Sequence, residues 1–163
     1  MAYVLSCEMR AAVPIVEAFR IFEDPSNLAR ITPSWLNFRV TSRQVQMRKG
    51  AEITYRIAWL GLPISWKTII TEYDPPHRFV DEQARGPYAM WRHRHEFQEV
   101  PGGTVVSDRV DYILPLGPLG RLAHWMVVKP QLREIFRFRQ RAIAKMLGAA
   151  ETSFTEPQIT PLR

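Results

Sequence analysis

The N-terminal part of the chain carries one strand pattern followed by two helix patterns. Apolar and polar residues alternate over residues 3–11, which predicts a half-buried strand. Pro14 suits the first position of a helix, and Asp24 suits the N-cap of a short second helix over residues 26–31. The apolar residues of the first helix recur along one side of it: Val16, Phe19, Ile21 and Phe22.

A first hairpin is predicted within the strand-like region 37–114. Alternating apolar residues flank Gly61-Leu62, and a two-residue turn with glycine first fits type II′. All paired apolar side chains then share one face, so the register is self-consistent. The predicted pairs are Trp59 with Ile64, Ile57 with Trp66, Tyr55 with Thr68, and Ile53 with Ile70.

A second hairpin is predicted around a turn at Gly102-Gly103. Opposite charges meet on its outer face, where Glu96 pairs with Arg109 and Arg94 pairs with Asp111. The inward pairs are then Phe97 with Asp108, His95 with Val110, His93 with Tyr112, and Trp91 with Leu114. This register places several polar side chains on the apolar face.

From Pro118 onward the pattern becomes helical and continues to Gly148, a natural C-terminal stop. Pro130 removes one helix hydrogen bond, so we expect a kink or break there. We interpret residues 1–148 as one domain and residues 149–163 as a disordered tail. The helix stripe consists of Leu132, Ile135, Phe136, Ala142, Ile143, Met146 and Leu147.

The order of elements predicts an α+β fold. It runs from a strand through two short helices and a long antiparallel run of strands to one long helix. A long sheet cannot leave its apolar face in water, and the last helix is the element available to cover it.

Particular segments resemble the START-like superfamily (SRPBCC), which includes polyketide cyclases and dehydrases, coenzyme-Q-binding proteins and lipid-transfer domains. The resemblance covers about residues 3–147 and implies a helix-grip fold, a curved antiparallel sheet wrapped around the C-terminal helix with a cavity between them. Since the superfamily shares a cavity rather than a catalytic motif, the ligand stays open. The segments that carry it are 22–28 (FEDPSNL), 71–79 (TEYDPPHRF), 108–112 (DRVDY) and 115–120 (PLGPLG).

Composition adds few constraints. The single Cys7 cannot form an internal disulfide, and the N-terminus lacks the pattern of a signal peptide, so we expect a soluble cytoplasmic protein. The formal net charge of +6 is compatible with an anionic partner but is common in simple domains. The motifs of nucleotide-binding, serine-hydrolase and redox proteins are absent, and we expect neither a cofactor nor a nucleic-acid partner.

The inward face of the predicted sheet mixes aromatic and titratable side chains. Buried polar groups need hydrogen-bond partners, so these residues either satisfy one another in a core or line a ligand-filled space. His95 and Asp108 are the candidates for acid–base chemistry. The candidate ligand-binding residues are Tyr55, Trp66, Thr68, Trp91, His93, His95, Asp108, Tyr112 and Arg139.

Several of these residues have alternative interpretations. His93-x-His95 with Asp108 places two imidazoles on one side of a strand, but the spacing is not diagnostic and we expect no metal. Arg139 lies on the apolar helix stripe and needs a partner, which could be Asp108, a ligand anion or solvent reached by snorkelling.

Three further arginines, Arg133, Arg137 and Arg141, follow at intervals of four along the outer helix face. Such a stripe is either a solvated face or a binding surface for phosphate groups. Without interleaved aromatics it does not indicate nucleic-acid binding.

The sequence therefore favours a module that binds or carries a small hydrophobic ligand, lipid-, quinone- or polyketide-like. A polyketide cyclase or dehydratase, a lyase-like enzyme using His95 or Asp108, is the alternative. A third hypothesis is transient contact between the basic helix face and an anionic surface, without stable membrane insertion.

Overall fold

A computed structural model describes residues 1–42, 45–59, 61–148 and 152–162. Within these ranges nine strands form a single antiparallel sheet, accompanied by three α-helices. The strands are β1 (Ala2–Ala11), β2 (Arg39–Val40), β3 (Glu52–Trp59), β4 (Leu62–Asp74), β5 (Arg78–Arg85), β6 (Met90–Val100), β7 (Gly103–Ile113), β8 (Thr152–Phe154) and β9 (Gln158–Pro161). The helices are α1 (Ile15–Glu23), α2 (Gly117–Ala123) and α3 (Lys129–Leu147).

The sheet follows the order β2-β3-β4-β5-β6-β7-β1-β8, and β9 also pairs with β1. Neighbours in sequence are therefore neighbours in space from β2 to β7, and the N-terminal strand closes the sheet against β7. The predicted α+β helix-grip architecture is confirmed by this sheet and the long C-terminal helix.

The first helix forms close to its predicted position, but its buried face differs in detail. Phe19 and Phe22 are buried as expected, whereas Val16 is 46% exposed and Ile15 takes the inward position. Asp24 caps the next short helix, a 3₁₀ turn over Pro25–Ala29, by accepting a hydrogen bond from the backbone N–H of Ser26 at 2.9 Å.

The first hairpin has the predicted inward face but a register shifted by two residues. Tyr55 pairs with Trp66 rather than with Thr68, and Ile57 pairs with Ile64. The predicted turn requires the residue after it, Pro63, to donate a backbone N–H, which proline lacks. A shift of two preserves the side-chain alternation, so the same residues still face inward.

The second hairpin is shifted in the same way, because its turn is Pro101-Gly102 between Val100 and Gly103. Proline presets the first turn position, and Gly102 has φ +80° at the second, the combination of a type II turn. His95 consequently pairs with Asp108, and His93 pairs with Val110.

The predicted cross-strand charge pairs of this hairpin are wrong. Arg94 faces Arg109 across the strands, and Glu96 faces Ser107. Arg109 instead pairs with Asp111 on its own strand, at 3.1 Å between Nη2 and Oδ1. The proline-glycine turn therefore decides the register against these exposed ion pairs, which contribute little free energy.

Gly103 is required by a close backbone approach as well as by its conformation. Its φ is +154°, and a Cβ built there would overlap the carbonyl oxygen of Ala11 on the neighbouring strand. Any larger residue would push β7 away from the end of β1.

The C-terminal helical stretch is interrupted where Pro130 predicts a break. A π-helical segment, His124–Val128, separates α2 from α3, and Pro130 lies in the first turn of α3. The wider π turn accommodates the missing N–H of Pro130 without ending the helix. Gly148, at φ +59°, ends α3 as predicted.

Residues 152–162 are not the disordered tail that we expected. The short strands β8 and β9 both pair with β1, and Ile159 is buried beside Leu5. Gln140 of α3 ties this segment down by donating to the carbonyls of Glu8 and Thr155 at 2.9 and 3.3 Å. Three- and four-residue strands are too short to leave a periodic signal in the sequence.

We predict that Ile159→Ala lowers the free energy of unfolding by about 2–5 kcal/mol, because it removes buried apolar volume between β1 and α3. The measurement is urea unfolding. Leu162→Ala is the control, since Leu162 is 45% exposed and should change stability by less than about 0.5 kcal/mol. Equal, negligible effects of both substitutions would show that the C-terminal strands do not form.

Candidate functional site

A cavity of about 380 Å³ lies between the helices and one half of the sheet's inward face. Its sheet wall comes from β3, β4, β5 and β6, while β7 and β1 contribute no lining residue among those described. Over β7 and β1 the space is filled by packed core side chains such as Leu5, Val110 and Phe136. The cavity is thus the space over the part of the sheet that α3 does not cover.

Aromatic side chains form most of the sheet wall. Trp66 stands at its centre, with Tyr55 stacked on it at 5.8 Å and Trp91 edge-on at 5.5 Å between ring centroids. Thr68 holds this group in place, since its hydroxyl accepts from Trp66 Nε1 at 3.1 Å and lies 3.3 Å from the Tyr55 hydroxyl. Trp66 and Tyr55 therefore have their polar atoms engaged by Thr68 and present apolar ring surface to the cavity.

A charged cluster borders the same cavity, built by β5, β6, β7 and α3. His93 Nε2 donates to Asp108 Oδ1 at 2.8 Å, and His95 Nε2 donates to Asp81 Oδ2 at 3.1 Å. His95 Nδ1 lies 2.9 Å from Asp108 Oδ1, outside hydrogen-bond geometry. Arg139 Nε lies 3.8 Å from Asp108 Oδ2, and its guanidinium lies 5.2 Å from the centre of the Phe22 ring.

The electrostatics of this cluster keep both carboxylates ionised. Burial opposes the charge on Asp108, but the Arg139 guanidinium and the hydrogen bond from His93 hold the pKa of Asp108 well below its usual range. Burial likewise opposes the charge on Asp81, but the hydrogen bond from His95 lowers the pKa of Asp81. Burial and the nearby His95 lower the pKa of His93 to about 4, so His93 is neutral at pH 7.

Seven of the nine predicted ligand-binding residues line the cavity, and two do not. Asp108 lies behind the two histidines, and Tyr112 lies under the helical cover. Tyr112 is fully buried and its hydroxyl contacts His124 Nε2 at 2.7 Å. Both residues belong to β7, which α3 covers. The seven that line it are Tyr55, Trp66, Thr68, Trp91, His93, His95 and Arg139.

Asp81 and Tyr88 also line the cavity, although they are not among the residues predicted from the sequence. The sequence does contain a signal for Asp81. It lies two residues after Phe79, so in a strand the two side chains share the same inward face. Tyr88 follows the turn after β5, where no periodicity predicts which way a side chain points. Of the alternatives for Arg139, the structure gives the ion pair with Asp108.

The stripe formed by Arg133, Arg137 and Arg141 is partly neutralised. Arg137 pairs with Glu156 of the C-terminal segment at 2.6 Å. The stripe is therefore not an uninterrupted row of available cations.

Among the residues that the structure describes, Asp81, His93 and His95 form a group that could hold a metal ion. One ligand atom from each lies within 4.8 Å of the others. A usual site needs more donors, and the two histidines already contact Asp108, which also faces the Arg139 guanidinium. The arrangement is better accounted for as a network of hydrogen bonds and ion pairs around Asp108 than as a metal centre.

The helix-grip fold with a cavity beside the last helix defines a class of proteins, and comparisons identify the family. Residues 11–137 match the model of the family described as "Polyketide cyclase / dehydrase and lipid transport". The chain therefore belongs to this family, in agreement with the START-like resemblance. No curated protein sequence matches the chain.

Solved structures share the fold at low sequence identity. The TTHA0849 protein of Thermus thermophilus superposes with a TM-score of 0.71 at 17% identity, covering 91% of this chain and 99% of that one. The Ms6760 protein of Mycobacterium smegmatis gives 0.65 at 20% identity, with coverage of 91% and 92%. Ara h 8.0201 gives 0.59 at 14% identity, with coverage of 89% and 99%.

In the described part of the chain, no helix has the length and the apolar character needed to cross a lipid bilayer.

We predict that Asp108→Asn lowers the free energy of unfolding by about 3–5 kcal/mol, because it leaves the Arg139 guanidinium buried without a carboxylate. Asp111→Asn is the control, since Asp111 is partly exposed and its loss should cost about 0–1 kcal/mol. Adding Arg139→Met to Asp108→Asn should recover part of the loss in urea unfolding. No difference between the two single variants would contradict the structural role of Asp108.

We also predict that the protein, purified without added metal, carries no stoichiometric metal. The reason is that the imidazoles are already engaged by two carboxylates. Elemental analysis is the measurement. Zinc or iron at one atom per chain, lost in His93→Ala or His95→Ala, would overturn this prediction.

Proposed function

We propose that this protein binds a small, largely apolar ligand in the cavity and carries it without chemical change. Lipid-, quinone- and polyketide-like molecules fit this description. The observation that carries the proposal is the combination of an aromatic wall with a single charged cluster around one cavity of about 380 Å³. Ligand sites are typically about 300–1,000 Å³, mostly apolar, with few polar groups.

The aromatic wall would supply affinity. Trp66 and Trp91 meet edge to face and offer large apolar surfaces, and Trp66 Nε1 is already engaged by Thr68. Trp59 extends this surface towards α3, where its Nε1 donates to Gln131 at 2.7 Å. Burial of ligand surface against these rings is the expected source of binding free energy.

The charged cluster would orient the ligand. His95, Asp81 and Arg139 line the cavity, while Asp108 holds the imidazole of His93 from behind. A ligand hydroxyl or carbonyl facing these groups would find both acceptors and donors. Asp108 is thus a positioning residue in this proposal.

An acid–base enzyme of the cyclase or dehydratase type is the second candidate, and the surroundings of His95 favour it. One ring nitrogen bonds Asp81, and the other lies 2.9 Å from Asp108. His95 also lines the cavity, so its imidazole would be the acid–base group that faces a bound polyketide, with Asp81 fixing the orientation of the ring.

Narrowing the cavity should weaken ligand binding before it weakens folding. Ala123→Phe adds a ring at a half-buried, cavity-lining position of α2, so we expect probe binding to fall by at least about tenfold while stability changes by less than about 1 kcal/mol. The probe is the neutral fluorophore 1-aminoanthracene, and stability is measured by urea unfolding. Leu122→Phe is the matched control, because the adjacent Leu122 is exposed and does not line the cavity.

An absence of probe binding in the unaltered protein, together with strong destabilisation by Ala123→Phe, would indicate that the interior is packed and would refute the proposal. Native mass spectrometry of freshly purified protein separates the two candidates. A co-purified ligand that is recovered chemically unchanged after incubation supports carriage. If the co-purified ligand is converted instead, and Asp81→Asn abolishes the conversion without loss of binding, the result supports the enzyme of the cyclase or dehydratase type.

A further inference from the structure

The helical stretch that follows β7 exposes an unusual amount of apolar surface. Five large side chains recur at intervals of three and one between residues 116 and 126, and each is more than half exposed. Apolar surface of this kind on a protein marks an interaction site. The five form what we term the apolar ridge: Leu116 (76%), Leu119 (70%), Leu122 (55%), Trp125 (73%) and Met126 (59%).

The apolar ridge is continuous with the mouth of the cavity. Leu116 and Leu119 belong both to the ridge and to the cavity lining, and Ala123 lines the cavity from the same helix. Gly120 lets this helix lie close to the preceding loop, since a Cβ there would overlap the carbonyl oxygen of Pro115. The outer side of one cavity wall is therefore apolar surface facing solvent.

The charges within the stretch of chain that carries the ridge have a single sign. Between Asp111 and Glu134 the chain carries Arg121, Lys129 and Arg133 and no acidic residue. Arg121 is exposed and lies between ridge residues on α2. An exposed tryptophan and leucines beside cations are the composition of helices that lie in the interface of an anionic bilayer.

We infer that the apolar ridge docks on the surface of an anionic phospholipid bilayer, so that the cavity mouth opens against the lipid. A second copy of the chain fits this face less well. Two ridges facing each other would bring their cations together without any acidic partner from the same segment. The inference adds a site of ligand exchange to the proposed function, and docking does not require that a ligand is bound.

Vesicle flotation tests the inference with the full chain and two lipid compositions, phosphatidylcholine alone and phosphatidylcholine with phosphatidylglycerol. The protein should float with the anionic vesicles, more weakly with the neutral ones, and less at high salt. The variant Leu122→Ser/Trp125→Ser should reduce binding to the anionic vesicles by at least about tenfold. Arg121→Gln/Lys129→Gln should reduce it for anionic but not for neutral vesicles.

Matched controls lie away from the ridge. Phe154→Ser removes an exposed aromatic side chain on β8, and Arg141→Gln removes an exposed cation on α3; neither should change vesicle binding. Leu122 and Trp125 do not line the cavity, so Leu122→Ser/Trp125→Ser should still bind 1-aminoanthracene. Retained probe binding separates a failure of docking from a failure of the proposed function.

Three results would overturn the inference. The first is that the unaltered protein does not float with anionic vesicles, and the second is that the control variants lose as much vesicle binding as the ridge variant. The third is that the protein forms dimers in sedimentation analysis, and that Leu122→Ser/Trp125→Ser dissociates these dimers but leaves flotation unchanged. Circular dichroism of each variant establishes that it is folded.

Discussion

The buried carboxylate of Asp108 is the constraint on which the arrangement of sheet and helix depends. A charge with this little solvent exposure is tolerated only when several partners surround it. Two partners, His93 and His95, come from the neighbouring strand β6, and the third, Arg139, comes from α3. Arg139 reaches Asp108 of β7 from α3, and the apolar residues of the same helix pack over β7 and β1.

The cavity follows from this placement of the helix. A single helix is about 10 Å wide, so it covers only a few strands of a sheet whose neighbours are spaced by about 4.8 Å. α3 fills the space over β7 and β1 with Leu132, Phe136 and Ile143. Farther along the sheet, the aromatic side chains Tyr55, Trp66 and Trp91 face the cavity instead.

Some features of this fold can be predicted from the sequence because they produce a local pattern of residues, and others cannot. The alternation of apolar and polar residues determines which side chains face inward. This prediction stays correct although the register of both hairpins is shifted by two residues. The registers were set by Pro63 and by Pro101-Gly102, where a missing N–H or a preset φ outweighs apparent charge pairing.

Contacts between distant segments left weaker signals. The inward position of Asp81 depends on the alternation of a short strand, and the pairing of residues 152–161 with β1 depends on β1 having an open edge. The second cannot be read from local periodicity, because it is a property of the assembled sheet. The same holds for the exclusion of Asp108 and Tyr112 from the cavity, which the position of α3 decides.

The charged cluster and the apolar ridge lie at opposite ends of the helical stretch that borders the cavity. From Leu119 to Arg139 the chain advances 20 residues, about 30 Å at 1.5 Å per residue. A lipid-like molecule in a bilayer has its polar group at the surface and its apolar part inside. If such a molecule enters at the ridge, its polar group enters first and reaches Asp81, His95 and Arg139. Its apolar part then follows along the aromatic wall, so the polarity of the cavity matches the order in which a membrane would release the molecule.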